Sequence, residues 1–160
     1  MTESYTYLSP IGLMQFDSNG QQLTSIHFVD HEHNTDKFDL KLRETITRQL
    51  DDYFGGRLHH FNLPIQPQGT DFQKRVWKQL ETIEYGQIIS YQELALKLGD
   101  KNLVRAVGGA NSKNPMAIVI PCHRVIGSNK KLVGYAGGLW RKKWLLRHEL
   151  EFKEKRGELF

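Results

Sequence analysis

The residue best equipped for covalent chemistry in this sequence is its lone cysteine, Cys122, set between Pro121 and the pair His123-Arg124. A thiolate is a strong nucleophile and a thiol a weak one, and a nearby histidine or arginine lowers a thiol pKa. A cysteine after an apolar run is also commonly just a small hydrophobe; the nitrogen donors that follow Cys122 set it apart. A sequence-adjacent histidine need not touch the sulfur, because a bridging water can carry the proton. Glu149 is the second suggestive position. It sits beside His148 in a stretch rich in large apolar residues, and a carboxylate buried there needs a partner. His123 is one candidate, which would give a Cys–His–Glu relay. The pattern leaves the other reading open, a solvent-facing glutamate near a helix end.

Cys122 is delivered by Met116-Ala117-Ile118-Val119-Ile120, a continuous apolar run that reads as a buried strand. Upstream, Thr70-Asp71-Phe72-Gln73 and Ser90-Tyr91-Gln92-Glu93 are both capping boxes, a hydroxyl residue followed three positions on by Gln or Glu. The first opens a helix striped by Phe72, Val76, Leu80 and Ile83 and ended at Gly86. The second opens a short helix closed by Gly99. A polar turn then leads into another helix, with Leu103, Val107 and Ala110 inward. Short helices joined by a tight glycine turn form a helix-turn-helix pattern. Its outer face carries Arg105, Gly109 and Ser112, with Ala106 and Gly108 beside them. Each interior glycine costs about 0.5–1 kcal/mol relative to alanine. Either a close helix crossing or the approach of a ligand backbone would offset that cost. A final helix from Leu139 holds Trp140, Trp144, Leu146 and Leu150, a wide apolar surface expected to be buried, and a polar tail from Glu151 is expected to fray.

The N-terminal stretch reads as a meander. Tyr5–Leu8, Leu13–Asp17 and Leu23–Val29 are strands, with Asn19-Gly20 a strong hairpin signal. Leu42, Ile46, Leu50 and Tyr53 form one helical stripe, stopped at Gly55-Gly56. Leu63 to Gly69 contains two prolines and reads as a linker, so the expected domains are residues 1–66 and 67–160. His27, His31 and His33 match no metal-ligand spacing and are expected to be surface residues.

The chain has 160 residues, with Lys+Arg 22 against Asp+Glu 18 and a net charge of +4. That length supports a core without staples, and the mild basicity permits a polyanionic partner. With Cys 1, neither an intramolecular disulfide nor a Cys-based zinc finger can form. Met1 to Tyr5 shows no basic region leading into an apolar run, and no stretch reaches membrane-spanning length. A cytoplasmic protein without membrane contact is expected.

Pro121-Cys122-His123-Arg124-Val125 resembles the signature of the O6-alkylguanine-DNA alkyltransferases, also called methylated-DNA–protein-cysteine methyltransferases. The similarity extends through Ile89 to Ala95, Arg105 to Asn111, Asn114-Pro115 and Trp144 to Glu149, and more loosely through Tyr53-Phe54-Gly55-Gly56. It implies an α+β (α/β) protein: a ribonuclease-H-like N-terminal support and a helical C-terminal unit with a winged-helix-like helix-turn-helix. It further implies a monomer that binds the minor groove of double-stranded DNA, flips out an alkylated base and moves the alkyl group irreversibly to Cys122, with no cofactor or metal. In that likeness His123 is the base acting through water, Glu149 orients it, Tyr91 assists proton delivery to the departing guanine and Asn114 organises the turn. Arg105 enters the base stack, and Ala106, Gly108, Gly109 and Tyr91 face DNA. Groups near Val125, Tyr135 and Ala136 line the base pocket. Some family members have serine where Ala136 stands, so a roomier pocket is expected here, open to alkyl groups larger than methyl, with O4-alkylthymine a further candidate substrate. The rival readings are a damage sensor that shares the scaffold, a Cys–His hydrolase and a transcription regulator. Cys122 argues against the first, the helix-turn-helix against the second, and the nearly featureless face around Arg105 against the third.

Overall fold

The computed structural model describes residues 2–153. They form two compact units: residues 2–68 with Pro115–Ala117 and residues 152–153, and Gly69–Asn114 with Ile118–Glu151. From residue 154 onward, the tail expected to fray lies outside the described residues.

In the first unit, β1 (Glu3–Ser9), β2 (Gly12–Ser18) and β3 (Leu23–Val29) make an antiparallel meander in the order β1-β2-β3. Its tight register pairs Ser9 with Gly12 and Glu3 with Ser18. The β2–β3 connection turns at Asn19-Gly20, where Gly20 takes φ 99. Met14, Phe16, Leu23 and Ile26 point to one face, and α1 (Leu40–Phe54) lays Ile46, Leu50 and Tyr53 in the same core. Asp39 caps α1 by accepting from the Leu42 N–H. The free edge of β3 is partly covered: Leu23 pairs with Ile65, and Ile26 with Met116. His27, His31 and His33 are exposed.

The second unit begins with the Thr70/Gln73 capping box and α2 (Asp71–Leu80). The helix stops at Leu80, earlier than the apolar stripe suggested; Ile83 is buried, but from the turn that follows. β4 (Ile89–Ser90) pairs in parallel with β5 (Val125–Ile126). The Ser90/Glu93 box then starts α3 (Tyr91–Lys97), and a short 3-10 turn, Lys101–Leu103, leads into α4 (Val104–Ser112). Leu94, Ala95, Val107 and Ala110 close the interior between the two helices. The Trp77 indole N–H donates to the Ala110 carbonyl at 2.8 Å inside this core, tying α2 to α4.

Two expectations are corrected. Met116–Ile120 is not a strand: only Met116 makes a bridge, and residues 117–119 turn. Ile118 takes φ 71, a left-handed conformation that strains a β-branched residue. The run is apolar because Met116, Ile118 and Ile120 are buried, and burial alone does not distinguish a strand from a buried loop. The final helix, α5 (Leu139–Phe152), is also oriented differently from its apolar surface. Trp140 and Leu150 are exposed, while Lys142, Leu145, His148 and Glu149 are buried. Charge–charge and charge–carbonyl partners inside the second unit outweigh the apolar drive of the outer face.

Trp77→Phe removes one buried hydrogen bond while the Ala110 carbonyl keeps the Lys113 N–H at 3.2 Å, which costs about 0.5–1.5 kcal/mol. The urea midpoint is expected to fall with little change in slope. An unchanged midpoint would show that this bond contributes nothing to the helix pair.

Candidate active site

The cysteine loop is shaped locally. Proline fixes its own φ, and Pro121 sits at φ −81, ψ 63 with the Cys122 N–H donating back to the Ile120 carbonyl at 2.8 Å. That is an inverse γ-turn. Cys122–Arg124 then forms one 3-10 turn, so three consecutive side chains splay in different directions. Asn114 clamps the loop from the end of α4: its amide donates to the Ile120 carbonyl at 2.7 Å and its side chain hydrogen-bonds Cys122. Asn111 donates to the Cys122 carbonyl at 3.4 Å.

Glu149 lies at the centre of the cluster, and the solvent-facing reading of it is excluded by its complete burial. Its Oε2 is 2.7 Å from His123 Nε2. Arg124 donates to it twice, Nε to Oε1 at 2.7 Å and Nη2 to Oε2 at 3.0 Å, and Arg124 Nη1 donates to the Ile83 carbonyl at 2.6 Å. The Gly86 N–H approaches Oε1 at 3.4 Å. Although burial alone would raise it, His123 and Arg124 together hold the Glu149 carboxyl far below the usual carboxylate range. An ionised carboxylate only accepts, so His123 Nε2 carries the proton and Nδ1 the lone pair. His123 Nδ1 is buried with no hydrogen-bond partner among the described residues.

Burial pushes the His123 pKa down, with Glu149 opposing and Arg124 and Lys142 assisting. The ring is therefore neutral and able to take a proton. Burial pushes the Cys122 thiol up, against the Asn114 hydrogen bond and the charge of Lys142. This differs from the lowered thiol expected from Arg124, whose guanidinium is turned to Glu149. The resting Cys122 is a protonated thiol, and the His123 that follows it in the chain is unprotonated.

Tyr91, at the first position of α3, donates from its hydroxyl to the Val133 carbonyl at 3.3 Å, and the Asn111 amide lies 3.5 Å from the same oxygen. Burial raises the Tyr91 pKa. Val125 is fully buried in β5, and Ala136 is exposed at a turn. The Tyr135 hydroxyl is buried without a partner among the described residues, and burial and the nearby Cys122 push its pKa well up. Arg105, Ala106 and Gly109 are exposed on α4, at some remove from this cluster in sequence, and Gly108 is half-buried. A Cβ on Gly109 would meet nothing within 4 Å, and one on Gly108 only the Tyr91 ring at 4.0 Å. The close-crossing explanation for these glycines is thereby removed within the second unit.

Sequence reasoning missed Lys142, and it left Arg124 without its carboxylate partner. Lys142 is fully buried. The available signal was spacing: Lys142, Leu145 and Glu149 recur at i, i+3 and i+7 on one face of α5. Among the described residues, no group of three or more His, Cys, Asp or Glu could hold a metal ion, and no helix is long and apolar enough to cross a membrane.

The unfolded state binds a proton on His123 below about pH 6.5, and the buried ring resists it. A depressed histidine pKa therefore contributes stability that is complete above about pH 6.5 and is lost as pH falls. The melting midpoint is expected to drop between pH 7 and 5.5, and His123→Gln should flatten that slope. A pH-independent midpoint in the parent protein would contradict a neutral buried His123.

Comparison with known proteins places this geometry in context. Residues 71–151 match the family model described as 6-O-methylguanine DNA methyltransferase, DNA binding domain, and residues 4–67 match its ribonuclease-like domain. A methylated-DNA–protein-cysteine methyltransferase of Methanosarcina barkeri is 44% identical over 88% of this chain and 92% of its own length. That of Mycolicibacterium paratuberculosis is 42% identical over 93% of each chain. The crystal structure of Mycobacterium tuberculosis O6-methylguanine methyltransferase superposes with a TM-score of 0.83 at 39% identity, covering 95% of this chain and 94% of that one. A structure of the M. tuberculosis protein in complex with DNA gives 0.83 at 44% identity, covering 91% of each chain.

Proposed function

This chain belongs to the 6-O-methylguanine DNA methyltransferase family, and from that premise we propose that it repairs DNA by direct reversal, moving the alkyl group of an O6-alkylguanine onto its own Cys122. The observation that carries this reading is a neutral His123, next to the buried Cys122 in one 3-10 turn, whose Nε2 is fixed by Glu149 at 2.7 Å. The unpaired Nδ1 lone pair can accept the thiol proton through one water. Sγ attacks the alkyl carbon, the carbon–O6 bond breaks, and the bond's electrons stay with guanine. The guanine regains a proton near the Tyr91 hydroxyl, so the thiol's proton is balanced by the one taken up on the base. The product is a thioether with no leaving group, so each molecule acts once.

A thiol raised by burial is poorly nucleophilic until a base is in position, which limits off-target alkylation of Cys122. Asn114 holds the loop, and Val125, Tyr135 and Ala136 line the base pocket. Docking uses α4: Ala106, Gly108 and Gly109 leave the backbone open to a narrow groove, and Arg105 is the long side chain placed to fill the stack. Flipping costs a few kcal/mol, least for a poorly paired base. The small, nearly featureless face suits the minor groove of duplex DNA. The protein acts as a cytoplasmic monomer, one copy per lesion. Ala136 brings no hydroxyl to O6, which suits alkyl groups larger than methyl, and O4-alkylthymine is a secondary substrate.

Intact-mass measurement after mixing with duplex DNA carrying one O6-methylguanine should show a gain of one methylene, saturating at one per molecule and mapping to the Cys122 peptide. An O6-ethylguanine duplex should transfer its ethyl group likewise. Cys122→Ser should bind the duplex and remain unmodified. Bound, unmodified parent protein with the lesion intact would favour a damage sensor, and transfer by Cys122→Ser at the parental rate would remove Cys122 from the mechanism.

Arg105→Ala should slow repair in duplex DNA at least tenfold more than reaction with free O6-methylguanine, since only the duplex demands extrusion. Equal losses on both substrates would end the intercalating role for Arg105.

A further inference from the structure

Lys142 is a buried cation with no carboxylate partner among the described residues. Desolvating an ammonium is costly, and an apolar side chain of similar length would fill the same space at far lower cost. Its Nζ instead donates to two carbonyls of one loop, Val133 at 2.7 Å and Gly134 at 3.2 Å. The Val133 carbonyl also receives the Tyr91 hydroxyl at 3.3 Å. Tyr91 in turn lies 3.5 Å from the Asn111 amide, which donates to the Cys122 carbonyl at 3.4 Å. The ammonium sits 6.0 Å from the Tyr91 ring centroid. A continuous chain of contacts therefore runs from Lys142 through the loop before Tyr135-Ala136 to the proton-donating tyrosine and the nucleophile's backbone.

We propose that Lys142 is a positioning residue for alkyl transfer: by clamping Val133 and Gly134 it holds the pocket loop in register and fixes the Tyr91 hydroxyl over the reacting base, while its charge favours the developing thiolate of Cys122. This rests on the alkyl-transfer reading above. A carbonyl has two lone pairs. Because Lys142 occupies one strongly, the longer tyrosine bond at the other is readily exchanged for a bond to substrate. The groups facing the ammonium are Tyr91 from α3 and, through their charge, Cys122 and His123 from the 3-10 turn. Burial lowers the Lys142 pKa to about 8, so the clamp loses its charge as pH rises through that value.

The test compares parent protein with Lys142→Met, measuring single-turnover methyl transfer from duplex O6-methylguanine between pH 6.5 and 9.5, together with affinity for the same duplex. The parent rate should level or fall above about pH 8. The Met variant should bind DNA within twofold of parent, transfer about tenfold slower at pH 7, and lack that alkaline break. Lys142→Gln, which retains a donor without charge, should also lack the break and serves if the Met variant does not fold. Equal rates and the same alkaline break in a folded variant would overturn the role of Lys142. Absence of transfer by the parent protein would overturn the alkyl-transfer reading itself, and the Lys142 proposal with it.

Discussion

The buried carboxylate of Glu149 is the constraint on which the rest of the second unit depends. An ionised carboxylate with no access to water must have its lone pairs filled. Here Arg124, His123 and the Gly86 N–H fill them, and Arg124 also ties in the Ile83 carbonyl. One anion thus gathers α5, the cysteine loop and the turn after α2. The same anion selects the histidine tautomer, so a structural necessity leaves the Nδ1 lone pair free for the proposed proton transfer. Arg124 matters to that balance. Burial is the main reason that the imidazole stays neutral, and the Arg124 charge assists by opposing the pull of Glu149.

The nucleophile is correspondingly restrained. Its loop is built from an inverse γ-turn at Pro121, a strained Ile118 and the Asn114 clamp. These fix where the sulfur lies without ionising it. Lowered thiol pKa values suit enzymes that must stay reactive between turnovers. A thiol that acts once, by the proposed mechanism, is better kept protonated until its base and its substrate are both in place. Burial achieves this through desolvation, and Lys142 and Asn114 temper it so that the thiolate remains reachable.

The outer face of α4 is governed by absence of side chains. In α4 the glycines have open space where their Cβ atoms would stand, so nothing within the unit explains them. Their helix-propensity cost has no offset within the unit, and Arg105 beside them supplies length and charge where the other positions supply neither. The Trp77 bond to Ala110 holds the inner side of the same helix against α2, so the bare face is presented on a rigid element.

Much of this was legible from residue order alone. The capping boxes at Thr70 and Ser90 determine where α2 and α3 start because each is a local hydrogen-bond exchange over three residues. The meander follows from alternation and Asn19-Gly20, and the motif around Cys122 names its own chemistry. Burial of Glu149, however, was undecided in the sequence. Helical spacing says which residues share a face and not which face turns inward, and the exposed Trp140 and Leu150 show that apolarity pointed the wrong way on α5. The turn in place of a strand at Met116–Ile120 failed for a similar reason, since an apolar run records burial without recording backbone shape. The partnership of Arg124 with Glu149, the neutral state of His123, the raised thiol and the buried Lys142 all depend on desolvation and on charges brought together from distant positions. Those quantities exist only after the chain has closed around them, and so only the tertiary structure could decide them.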